Sequence, residues 1–144
     1  MNYDRFVEQP RILQERLNHE ILKAERYKDL CTRTTAAFSE IGRVQQSRSN
    51  THETYLLEYA DSQRAVYDLM QEYNTACDAV RTWLYNNLSI KNASMLEYRY
   101  IDALSNSEIA ATMHFAEQTM KNMISKAVRE ARKIYNDENN RQET

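Results

Sequence analysis

Apolar residues recur at helical spacing over the first part of the chain. Leu13, Leu17, Ile21, Ala24, Cys31 and Phe38 form one stripe, with Tyr27, Leu30 and Thr34 in the positions between. This spacing predicts a long amphipathic helix over about 10–41. Pro10 falls in its first turn, where a missing N–H is tolerated. Gly42 follows its end, where a left-handed residue closes many helices. The stretch GRVQQSRSNTHE (42–53) is polar and reads as a loop, with Asn50 or Thr51 capping the next helix.

A second helix, expected over about 53–88, carries a seven-residue period. Tyr59, Val66, Tyr73 and Val80 make one column, and Ser62, Leu69, Ala76 and Trp83 make its companion. Such columns pair helices along a coiled-coil seam, either with the first helix folded back as a hairpin or with a second copy of the chain. Tyr59, Val66, Leu69, Tyr73, Ala76 and Val80 are therefore the candidate oligomerisation residues of a homodimer or higher homo-oligomer. NNLSIKNAS (86–94) interrupts the period. Helices are expected after it over 94–103, 107–113 and 116–135. The tail NDENNRQET (136–144) has no apolar residue and is expected to fray. The organisation that follows is a helical hairpin and oligomerisation region over 1–88, a small domain over 89–135 and a disordered tail.

Composition sharpens the class. With one Gly and one Pro in 144 residues, the corners of a β architecture cannot be built, so the expected fold is all-α. Without a long apolar run or a signal segment, a cytoplasmic protein with no membrane contact is expected. Cys31 and Cys77 stand apart from any metal-ligand spacing and read as small buried hydrophobes in a reducing compartment. His19, His52 and His114 are dispersed, so no metal site is expected. No nucleophile elbow, phosphate loop or paired carboxylates occur, so neither enzyme activity nor a cofactor is expected. Glu108, near a helix start, reads as structural.

The informative stretch is SNSEIAATMHFAEQTMKNMISKAVREARKIY (105–135). Ile109, Ala110, Met113, Phe115, Met120, Ile124, Ala127 and Ala131 are placed inward, with small Ala110 at a close helix crossing and Phe115 plugging the turn. That is the pattern of a helix-turn-helix, whose second helix enters the major groove of double-stranded DNA. The outer face of that helix carries Glu117, Gln118, Lys121, Asn122, Ser125, Lys126, Arg129, Arg132 and Lys133. Gln118 and Asn122 offer amide edges suited to adenine, and Lys121 suits guanine or phosphate. The later basic residues suit phosphates. The net charge of −2 argues mildly against a generic polyanion binder, but binding depends on the local field rather than on the chain average.

MLEYRYIDALSNSEIAATMHFAEQTMKNMISKAVREA resembles the C-terminal helix-turn-helix of bacterial sigma factors. The shared features are Arg99-Tyr100, Ser105, Glu108, Ile109 and Ala110, Thr119 before an apolar Met120, and Ala127. RTTAAFSEIGRVQQSRS, followed by a long helix, resembles phage transcriptional regulators of the ArpU and RinA type. The resemblance implies a phage or prophage regulator that binds a promoter and activates late or packaging genes with host RNA polymerase. An activator is expected rather than a complete sigma factor, since no segment resembles a promoter-opening domain. A small terminase subunit and a protein-interaction adaptor are the other classes. Two positions depart from the motif. His114 stands where the turn usually has Gly, and Ala116 stands where the reading helix usually has a Ser or Thr cap.

Overall fold

The computed structural model describes the backbone of residues 1–41 and 46–143, and the side chains of 1–34 and 51–143. The described residues form five helices and no strand, as the composition requires: α1 (Tyr3–Ile41), α2 (Gln46–Asn87), α3 (Ile90–Tyr100), α4 (Asn106–Met113) and α5 (Glu117–Gln142). Two compact units are distinguished, one of Met1–Ile12 with Tyr73–Thr144 and one of Leu13–Glu72.

The long helices begin earlier than apolar spacing predicts. Asn2 starts α1, its Oδ1 accepting the backbone N–H of Arg5 at 2.9 Å, so Pro10 lies inside the helix rather than in its first turn. A proline there cannot donate to the carbonyl four residues back, a cost of about 3 kcal/mol. Complete burial of its ring offsets part of that. The predicted loop is also shortened, because α2 is already helical from Gln46. Ser, Asn and Gln weaken a helix without breaking it, and no Gly or Pro follows Gly42 in that stretch. Gly42 and Arg43 lie outside the described residues.

The first unit is built around a buried cluster. Tyr3, Val7, Val80, Leu84 and Leu88 share it with Met95 and Leu96 of α3, Ile109 and Ala110 of α4, and Met120, Ile124, Ala127 and Ala131 of α5. The cluster runs through the boundary that the heptad break places at residue 88. The reason is that both ends of the predicted hairpin region contribute apolar residues to it. Tyr3 stands at the centre of an aromatic group, its ring 6.0 Å from Trp83, 6.2 Å from Tyr100 and 6.0 Å from Tyr135. Phe6 stacks on Tyr135 at 5.2 Å. These pairs add to area burial by about 0.5–1.5 kcal/mol each.

Where the apolar spacing ends the last helix at Tyr135, the structure carries it to Gln142. The added turns are tied by polar contacts that a hydrophobic pattern does not reveal. Glu138 accepts from Trp83 Nε1 at 3.1 Å, and Asn139 Nδ2 donates to the Met1 carbonyl at 3.0 Å. The break between α2 and α3 is short. Ser89 caps α3 by accepting the Asn92 N–H, and Glu97 accepts from Arg81 Nε at 3.0 Å and from the Tyr85 hydroxyl at 2.6 Å.

In the second unit burial follows the seven-residue period on both helices. Ala24 and Cys31 are buried on α1, as are Ser62 and Leu69 on α2. Of the candidate oligomerisation residues, Leu69 and Val80 are 8% and 1% exposed within one chain, while Tyr59, Val66, Tyr73 and Ala76 are half-buried. The columns serve the chain's own packing first.

Candidate nucleic-acid interface

The helix-turn-helix is assembled by local chemistry at each corner. α3 closes through the Glu97 carbonyl, which accepts from Ile101 N at 2.9 Å, and the Tyr98 carbonyl, which accepts from Leu104 N at 3.0 Å. This turn requires Ala103 at φ 54°, in the left-handed region. Ser105 then caps α4. Its Oγ accepts the Glu108 N–H at 3.2 Å, while Glu108 Oε1 accepts the Ser105 N–H at 3.4 Å. Two otherwise orphaned N–H groups are thereby satisfied, and Glu108 is structural.

The second corner confirms both departures noted in the motif. His114 closes α4 at φ 62° and ψ 45°, left-handed as a glycine would be, and Ala116 begins α5 with no side-chain cap. The Ala110 carbonyl accepts from Phe115 N at 2.9 Å, and Ala110 is nearly fully buried, as expected for a small residue at a close crossing. Phe115 is a correction. It does not plug the turn; it is 36% exposed and carries the Lys91 ammonium 4.8 Å above its ring centre. The half-buried Met113 packs against the core instead.

α5 is held by Met120, Ile124, Ala127 and Ala131, all buried, and helices α3, α4 and α5 pack on one another pairwise. With its inner face fixed, α5 exposes Glu117, Gln118, Lys121, Asn122, Ser125, Lys126, Arg129, Arg132 and Lys133. Spacings of three and four put Gln118, Lys121, Asn122, Ser125 and Arg129 on one stripe. Gln118 Nε2 donates to Asn122 Oδ1 at 3.4 Å, which orients both amides along it. Gln118 and Lys121 line a depression of about 400 Å³ with Glu117 and Asn106, the first residue of α4.

Lys126 lies on a flank, lining a second depression with Lys91 and Asn92 of α3. Arg132 is engaged within the chain. Its guanidinium donates to Asp4 Oδ1 at 2.9 Å and stands 5.9 Å over the Tyr3 ring, and the bond to Asp4 raises its pKa further. Arg99, part of the sigma-like motif, donates to Asn106 Oδ1 at 3.3 Å. That brings an exposed cation to the rim of the Gln118 depression. Its position follows from the α3–α4 turn, which a propensity reading cannot place.

Among the described residues no group of His, Cys, Asp and Glu is arranged to hold a metal, and no helix is long and apolar enough to cross a membrane. No curated protein and no solved structure matches the chain significantly. Residues 84–130 match the family model for sigma-70, region 4, so this stretch is a sigma-factor-like helix-turn-helix, which points to DNA binding in transcription.

Proposed function

We propose that this chain is a sequence-specific DNA-binding transcriptional regulator of a phage or prophage. It reads a promoter or operator with α5 and activates late or packaging genes beside host RNA polymerase. The observation that carries the DNA reading is the exposed stripe of Gln118, Lys121, Asn122, Ser125 and Arg129 on α5, within the stretch that matches sigma-70 region 4. The phage assignment and the activator role rest on the resemblance of residues 33–49 and the following helix to ArpU- and RinA-type regulators. The apolar side chains that the N-terminal helices leave exposed, Tyr67 and Met70 among them, support an N-terminal helical region that joins copies into a homodimer or higher oligomer.

Selection of bound fragments from phage genomic DNA supplies the specific site, and titrations on that fragment test the reading. Gln118→Ala and Asn122→Ala should each weaken the specific complex by about 1–3 kcal/mol, the value of a bidentate base contact. Non-specific binding should hold, because phosphate neutralisation supplies that term. Arg129→Ala should weaken all sequences alike and reduce the salt slope by about 1. Arg132→Ala should leave the slope unchanged, since Asp4 already holds that guanidinium. If the amide variants bind their fragment as tightly as the parent does, α5 is packing surface and the reading is wrong.

A further inference from the structure

In the Leu13–Glu72 unit, α1 and α2 border an open groove of about 370 Å³. Ala24 lies buried at its floor, beside half-buried Val66. Its rim is apolar and exposed: Ile21 is 36%, Met70 46% and Tyr67 63% accessible. These residues follow a different face of α2 from Leu69, which is committed to the chain's own interior. Large apolar side chains gathered on one concave surface mark an association site rather than ordinary surface scatter.

We infer that a second copy of this chain occupies the groove, packed about a two-fold axis. The inference rests on the self-association proposed above and narrows its surface to this groove, which takes in Tyr59 and Val66 of one heptad column and leaves out Leu69. Charge selects the occupant. Glu25 and Lys28, one helical turn apart on α1, both border the groove and both are exposed. One carboxylate and one ammonium cancel, so the surface favours neither a polyanion nor a basic partner. It is complementary to itself. A two-fold axis passing between them sets Glu25 against Lys28 of the other copy and Lys28 against the other Glu25. Each copy then offers Tyr67 and Met70 to the other's Ala24 and Val66. Such reciprocity is what an isologous interface demands.

Sedimentation equilibrium of the full chain across the micromolar range tests this. The parent should be a dimer. Glu25→Lys alone and Lys28→Glu alone should each weaken association about tenfold, because each places like charges opposite one another twice. Glu25→Lys combined with Lys28→Glu should restore it, since the pair is then reversed on both copies. Met70→Glu should give monomer. Circular dichroism should show parental helicity in every variant, and because the charge reversals remove no apolar contact, the restored double variant stands even if Met70→Glu misfolds. An oligomer indifferent to all three single substitutions overturns the groove while leaving self-association intact. A monomer throughout overturns both, and a ring of many copies overturns the two-fold arrangement. DNA binding, titrated on the same samples, reports the regulator reading separately.

Discussion

At His114 the backbone enters the left-handed region to turn α4 into α5, and the side chain contributes no burial in return. A non-glycine residue there costs about 1–2 kcal/mol, of which glycine would recover part, since it loses more backbone freedom on folding. His114→Gly should raise stability by about 0.5–1 kcal/mol, seen as an upward shift of about 2–3 °C in thermal melting. A lower melting point would show that the imidazole makes a contribution the geometry does not reveal. Both departures at this corner were legible in the sequence, because the motif fixes which backbone conformation each position must adopt. Phe115 was not. Its apolar side chain reads as core, yet the turn directs it outward beneath Lys91, a contact that only the position of α3 creates.

Among the elements, α4 and the start of α5 followed their sequence signals closely, since a capping box and a 3–4 apolar spacing are local. The start of α1 did not, because what makes Tyr3 and Val7 helical and buried, with half-buried Phe6 beside them, is a surface offered by α2, α3 and α5. Tyr3 shows the energetic consequence. Its hydroxyl and that of Tyr100 share a hydrogen bond of 2.9 Å, and burial raises the pKa of both phenols above the ordinary value of 10.0. The folded chain therefore keeps protons that the unfolded chain releases. Stability from this pair is intact below pH 10 and falls as the pH climbs beyond it. Tyr3→Phe should cost about 1 kcal/mol at neutral pH through the lost hydrogen bond, and it should lessen the alkaline fall. Denaturant titrations followed through Trp83, whose ring lies 6.0 Å from Tyr3, measure both effects. An alkaline decline identical in parent and variant would remove Tyr3 as its source.

On the scale of the whole molecule, the unit that carries α3, α4 and α5 draws on Met1–Ile12 as well as on everything from Tyr73 onward. This has a consequence for synthesis. Tyr3 and Val7 leave the ribosome long before Ile124, Ala127 and Ala131, which share their cluster. A nascent chain thus carries uncovered aromatic residues until α5 has been made, and closing so long a loop makes folding slow. Chains arrested before Ala131 has emerged should leave Tyr3 and Phe6 open to chymotrypsin, whereas released chains should protect them. Protection already present in the arrested chains would mean that an earlier partner covers these residues. If it is absent, the unit that carries the helix-turn-helix is completed only once α5 has emerged, and the moment at which the chain becomes competent is set in part by the order of its own residues.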